Sequence, residues 1–232
     1  MDKRFLGILT AVIIIFVVIF AATSHSSNNN SGNNKNSAGQ PTNHVQGKGT
    51  TGVKLVEYGD YECPVCYAYN QPVDQVVAHF GDQITYQFRN LPLSQIHPNA
   101  FAAARAAEAA GLQGKFWQMH NTLYNNQDPN GVTGWVADRG DVLNDFFVKF
   151  AQSAGVANIA KFKSDYASDQ VNSSINADLA AFAKTNQQEA TPTFFLDDKY
   201  VPNSELTDNN GVSVSKFTAV ITAEIAKKQA HK

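Results

Sequence analysis

Cysteine is nearly absent: the 232 residues hold two, Cys63 and Cys66, too few for a disulfide framework. No second Cys-x-x-Cys and no close His-x-His pair accompanies them. A tetrahedral zinc site would therefore lack its other usual ligands. An excess of charge is lacking too. Eighteen Lys and Arg against 20 Asp and Glu give a net charge of −2, which argues against a nucleic-acid partner. The stretch from Thr23 to Gly52 is poor in apolar side chains, being mostly Asn, Ser, Gly, Thr and Gln. It cannot bury enough surface to offset its ordering entropy and reads as a flexible tether, with His25 and His44 as solvated residues. Random-coil scaling gives such a tether a reach of about 30 Å. No internal repeat is visible.

One long apolar run is present, from Phe5 to Ala22, directly after Lys3 and Arg4. It is about long enough to cross a bilayer as a helix, with the basic residues held on the cytoplasmic side. The alternative is a cleaved signal segment. The run is long for that, and Ala22-Thr23-Ser24 makes a poor cleavage site. The expected organisation is an anchor or signal segment at 1–22, a tether at 23–52 and one folded domain at 53–232.

The domain is organised around Tyr61-Glu62-Cys63-Pro64-Val65-Cys66-Tyr67. Val53 to Tyr58 reads as a strand leading in, and Val65 to Phe80 as a helix leading out. A cysteine at the first turn of a helix faces unpaired N–H groups and the positive end of the macrodipole, which favour its thiolate. Cys63 is thus the candidate attacking or attacked sulfur and Cys66 the resolving thiol. Pro64 fits because its missing N–H falls where the helix offers no acceptor. A redox pair is the leading reading; a zinc site and an inert bridge are the others. Glu57 is an acid in an apolar strand, six positions before Cys63. Either that strand face is wet, or Glu57 is a proton acceptor and electrostatic tuner beneath the cysteines.

The helix from Val65 to Phe80 is expected to bury Val65, Tyr69, Val73, Val76, Val77 and Phe80, with a kink at Pro72. Ile84 to Phe88 alternates as a second strand, completing a right-handed βαβ unit. Helical periodicity then occupies about 95–188, over Ala100–Ala110, Phe116–Leu123, Phe146–Phe150, Ile159–Tyr166 and Ile175–Phe182, with a loop from Gly131 to Gly140. His120 reads as a packed helix residue. Thr191 to Leu196 returns to strand, Asp197-Asp198-Lys199 turns, Tyr200-Val201 runs back, and a last amphipathic helix follows Gly211.

Three motifs in this order, Glu57-Tyr58-Gly59-Asp60-Tyr61-Glu62-Cys63-Pro64-Val65-Cys66, Phe116-Trp117-Gln118-Met119-His120 and Thr191-Pro192-Thr193-Phe194-Phe195, resemble the DsbA-like branch of the thioredoxin-like superfamily. The resemblance implies an α/β thioredoxin-like fold with an inserted helical domain, and extracytoplasmic thiol-disulfide exchange. It implies that Cys63 is the exposed nucleophile, that Cys66 is its buried partner and that Glu57 is the buried acid beneath them. Pro192 would be a cis-proline against the pair, with Thr191 binding a substrate peptide. Valine at position 65, where the best-known strong oxidant of the branch has histidine, gives Cys63 neither hydrogen bond nor charge.

The expected activity is disulfide donation to exported proteins with free cysteines, on the outer side of the cell membrane. A quinone-linked membrane partner would re-oxidise the pair, and neither metal nor bound cofactor is needed. A reductase or isomerase, and a tethered peptide-binding module with an inert pair, are the alternative readings.

Overall fold

The computed structural model describes residues 39–230. The anchor at 1–22 and the first part of the tether, 23–38, lie outside the described residues. Among the described residues no helix is long and apolar enough to cross a membrane.

The elements in order are β1 (His44–Gln46), β2 (Val53–Gly59), α1 (Pro64–Phe80), β3 (Ile84–Asn90), α2 (Ala100–Gly111), α3 (Phe116–Asn125), α4 (Gly140–Ser153), α5 (Ile159–Tyr166) and α6 (Asp169–Ala183). After these come β4 (Thr193–Leu196), β5 (Lys199–Val201), the short α7 (Asn203–Leu206), a two-stranded ribbon of β6 (Thr207–Asp208) and β7 (Gly211–Val212), and α8 (Val214–Ala230). The main sheet has the order β1-β3-β2-β4-β5. β2 and β3 run parallel, as a βαβ crossover through α1 requires. The other neighbouring pairs are antiparallel.

β2 lies at the centre and is buried on both faces, which is why it reads as an apolar run. Val53 and Leu55 join Tyr69, Val73, Val76 and Phe80 of α1 and Phe217 and Ile221 of α8 in one core layer. Val56 and Tyr58, on the opposite face, pack with Phe182 of α6 and Phe195. A third core layer fills the helical block between β3 and β4, and it includes Trp135, Phe147, Phe162 and Ile175. Tyr61, Cys63, Cys66 and Phe88 belong to that layer, so the cysteines sit where the helical block meets the sheet. The β4–β5 turn uses Asp197 and Asp198 at φ 48 and 63, the left-handed pair of a tight hairpin turn.

Several expectations are corrected. The folded domain begins ahead of Val53, because β1 pairs antiparallel with the edge of β3, His44 opposite Phe88. Thr42 is buried and donates from its N–H and its hydroxyl to Asp178, at 2.8 and 2.7 Å. His44 is not solvated: its ring stacks on Phe116 at 3.4 Å and its Nε2 lies 2.9 Å from both carboxylate oxygens of Glu108. A polar strand carries no apolar alternation, so only its backbone ladder and these buried partners reveal it. Gly47 follows β1 in a left-handed conformation against the Ile84 carbonyl, where a Cβ has no room.

Val65 is 48% exposed rather than buried, because it lies on the solvent side of the first turn of α1, whose inner side buries Cys66. α1 continues through Pro72 to Phe80. The loop at 131–140 contains a 3₁₀ turn, Gly134–Val136, that buries Trp135 completely.

Candidate active site

β2 ends at Gly59, and Asp60-Tyr61-Glu62 turns the chain into α1. Cys63 is the N-cap of α1 in extended conformation, and Pro64 occupies the first helical turn. The Cys63 N–H donates to the Asp60 carbonyl at 3.2 Å, and the Tyr67 N–H to the Cys63 carbonyl at 3.1 Å. Gln127, from the segment after α3, donates from Nε2 to the carbonyls of Tyr61 (2.5 Å) and Cys63 (3.2 Å). These bonds hold the turn rigid, so the helix start presents its free N–H groups to one sulfur.

Both cysteines are thiols in this structure. Cys63 is 5% exposed and Cys66 is fully buried, so Cys63 is not the exposed sulfur that the resemblance implied: both thiols are buried. Their acidities diverge. The Cys63 thiol is lowered from 9.0 to about 6, first by a hydrogen bond from Cys66. Burial opposes this, and Thr191 and the N–H groups of Cys66 and Val65 lower it further. Cys66 is pushed well above the ordinary thiol value by burial, then by Cys63 and by the charges of Glu57 and Asp60. One sulfur is a thiolate near neutral pH and its neighbour three residues on holds its proton.

Thr191 and Pro192 lie against this pair. The Cys63 Sγ is 3.5 Å from the Thr191 carbonyl, across 128 residues of sequence, and the Thr191–Pro192 peptide bond is cis. The Asn203 side chain donates to the Pro192 carbonyl at 3.3 Å. Glu57 is buried and accepts a hydrogen bond from the Tyr86 hydroxyl at 2.7 Å. Burial raises its carboxyl from 4.5 to about 7, the Tyr86 bond partly offsetting this and the charge of Asp74 adding to it. Glu57 therefore does not lie on a wet strand face, and its charge reaches Cys66. Of the residues between the sulfurs, Pro64 starts the helix and Val65 points to solvent.

His120 is a packed residue, as its position on α3 suggests: it is buried, its Nδ1 lies 3.1 Å from the Tyr61 hydroxyl, and burial holds it down at about 3. Among the described residues no group of three or more His, Cys, Asp and Glu side chains is arranged to hold a metal ion.

The thioredoxin family model matches residues 39–223. The chain belongs to the thioredoxin family. Its match begins ahead of β1, in keeping with the earlier start of the folded domain. BdbD from Bacillus subtilis, in its oxidised form, superposes with a TM-score of 0.63 at 25% identity, over 81% of this chain and 97% of that one. A thioredoxin-like oxidoreductase from Silicibacter pomeroyi has a TM-score of 0.60 at 23% identity, covering 81% and 94%. MdbA of Corynebacterium diphtheriae, a thiol-disulfide oxidoreductase, has 0.57 at 20% identity, covering 78% and 95%. The fold is therefore that of the DsbA-like thioredoxin proteins.

Curated relatives carry a different name. A Na(+)/H(+) antiporter NhaA 1 of Mycolicibacterium gilvum is 39% identical over 159 residues, which is 68% of this chain and 24% of the antiporter. The chain thus spans about a quarter of the length of these relatives, and their transport activity does not carry over to it.

Within this family fold the sequence reading overlooked Asp60 and His97. Asp60 is fully buried at the turn before Cys63, and its Oδ2 lies 2.8 Å from His97 Nδ1. Its Oδ1 accepts from the Glu62 N–H at 2.8 Å, and its Oδ2 also accepts from the Leu93 N–H at 2.9 Å. The available signal was weak: an acid in the turn before the cysteines and a histidine just ahead of Pro98, separated by α1 and β3.

Proposed function

We propose that this chain is a membrane-tethered thiol-disulfide oxidoreductase that donates disulfides to exported proteins through Cys63 and Cys66. The observation that carries this reading is the opposite perturbation of two adjacent thiols, Cys63 down to about 6 and Cys66 well up, at a helix N-terminus facing Thr191. An inert bridge has no need of such a difference.

In the donating direction, a substrate thiolate attacks Sγ of Cys63 in the Cys63–Cys66 disulfide. The S–S bond breaks, a mixed disulfide forms, and Cys66 leaves with the electron pair and takes up a proton. Glu57, near neutrality in acidity and coupled to Cys66, supplies that proton. A second substrate thiolate then attacks the substrate sulfur of the mixed disulfide and expels Cys63 as a thiolate. The substrate has lost two electrons and the cysteine pair has gained them. A lowered thiolate is a better leaving group and a more stable product, so the acidity of Cys63 favours donation. Thr191 would hold the substrate backbone beside Cys63, and Pro192 would keep a peptide N–H away from the sulfurs.

The remaining parts rest on the sequence and on the family resemblance. Phe5 to Ala22 would anchor the chain, with the domain on the extracytoplasmic side, and a quinone-linked membrane protein would re-oxidise it. Val65 supplies no charge to Cys63, which tempers the oxidising strength relative to a histidine at that place.

Equilibration with glutathione tests the direction. A reduction potential toward about −120 mV fits a donor, whereas one near about −270 mV fits a reductase. A Cys66→Ala variant should trap mixed disulfides when its Cys63 thiolate attacks a client disulfide, since no Cys66 thiol is left to resolve them, and a Cys63→Ser variant should trap none. A pair that does not cycle at all removes the enzymatic reading.

A further inference from the structure

Asp60 is the hub of the turn that carries the cysteines. Its carbonyl receives the Cys63 N–H at 3.2 Å and its own N–H points to Cys66 Sγ at 3.5 Å. Its carboxylate has no exposure, and among the described residues His97 is its one cationic neighbour within 4.0 Å. A bare carboxylate buried at this point would oppose any negative charge on the sulfurs. Val65, exposed and apolar, gives no compensation. The loop between β3 and α2 does: Leu93 and His97 both reach back to Asp60 Oδ2.

We propose that His97 is the positioning residue of the redox pair: its ring, clamped on Asp60, neutralises that buried carboxylate so that the Cys63 thiolate forms beside a compensated ion pair. This rests on the oxidoreductase reading and names the group that tunes it. His97 takes over, from a different part of the chain, the charge that Val65 does not provide.

The groups acting on His97 are Asp60, Glu62 and Cys63, with Arg139 acting on Glu62; the charges of Glu57 and Asp60 act on Cys66, and the Tyr124 hydroxyl donates to the Asp60 carbonyl at 3.4 Å. His97 is raised above 6.5 by its bond to Asp60; burial opposes this, and the charges of Asp60, Cys63 and Glu62 add to it. With Cys63 at about 6, thiolate and imidazolium coexist between that pH and the raised value of His97. Proton linkage is reciprocal: what the thiolate does for His97, the imidazolium does for Cys63.

The test uses the reduced protein, its His97→Asn variant and the Asp60→Asn/His97→Asn double variant, with iodoacetamide labelling of Cys63 followed against pH. At about pH 6 the single variant should label about tenfold more slowly, and removing both charges should restore the rate to within about threefold. Histidine NMR on the unmodified protein is the second readout. His97 should titrate higher in the dithiol form than in the disulfide form, where no thiolate exists. An unchanged labelling rate in the single variant, a double variant as slow as the single, or one His97 titration in both redox states overturns the inference while leaving the enzyme reading intact. If Cys63 of the unmodified protein labels like an ordinary thiol, both fall together.

Discussion

Glu57→Gln removes a proton-binding site from the centre of the sheet, and its effect on stability can be worked out from the structure. Glu57 is 3% exposed, paired in register with Phe88 on one side and Phe194 on the other, with the Tyr86 hydroxyl as its hydrogen-bond donor. Its carboxyl titrates at about 7 in the folded protein, against 4.5 as the ordinary value. Between those two pH values the unfolded chain has released this proton and the folded chain keeps it. Unfolding therefore releases a proton, and rising pH favours the unfolded state. At about 1.36 kcal/mol per pH unit, the folded protein loses about 3 kcal/mol from this residue on going from below 4.5 to above about 7. Other carboxyls raised by burial, Glu62, Asp74 and Asp178, contribute slopes of the same sign. The difference between the protein and its Glu57→Gln variant isolates the one residue. Urea unfolding of both disulfide-bonded proteins, at about pH 4.5 and about pH 8, gives that difference without thiol titration. The variant should be less pH-sensitive by about 3 kcal/mol, and it should exchange disulfides more slowly in the dithiol cycle. Parallel stability profiles for the two proteins would refute the reasoning, because a carboxyl of ordinary acidity has no such slope at neutral pH.

Asp178→Ala strips the acceptor from Thr42 N–H, the Thr42 hydroxyl and Asn90 N–H, all buried, and should cost at least about 3 kcal/mol. Amide exchange should rise selectively from Thr42 to Gln46; uniform exchange along the chain would count against a local latch. Gly59→Ala places a Cβ 2.5 Å from Phe88 Cε2 and 3.2 Å from the Tyr124 hydroxyl, next to the turn that carries Asp60. Overpacking of this kind should destabilise by about 1–3 kcal/mol, and an unchanged unfolding midpoint would show that Phe88 yields freely.

Local chemistry made much of the molecule legible. A buried parallel strand must be apolar, a helix start favours proline, and a hairpin with two left-handed positions favours short polar residues. Hence β2, α1 and the β4–β5 hairpin stand close to where Val53–Tyr58, Val65–Phe80 and Asp197-Asp198-Lys199 place them. The helical block was legible for the same reason, since its apolar spacing repeats with the helical period. β1 was not. His44-Val45-Gln46 is held by the edge of β3 and by Glu108, Phe116 and the Thr42–Asp178 bonds, none of which leaves a mark on local composition. Val65 misled because apolar periodicity does not say where a helix face leaves the core.

What the sequence determined by itself is the identity and order of the candidate site groups: two cysteines one helical turn apart after a strand, an acid six residues before them, and Thr191-Pro192 ahead of the returning strand. Only the tertiary structure decided their energies. The Thr191 carbonyl meets Cys63 because β4 pairs with β2, with Thr193 opposite Tyr58. His97 meets Asp60 because the parallel β3 ends beside β2 and releases its loop over the cysteine turn. Burial and charge are properties of neighbourhoods, and these neighbours are dozens of residues apart in the chain. Side-chain type can therefore say which groups can react, while folding sets which of them carries the charge.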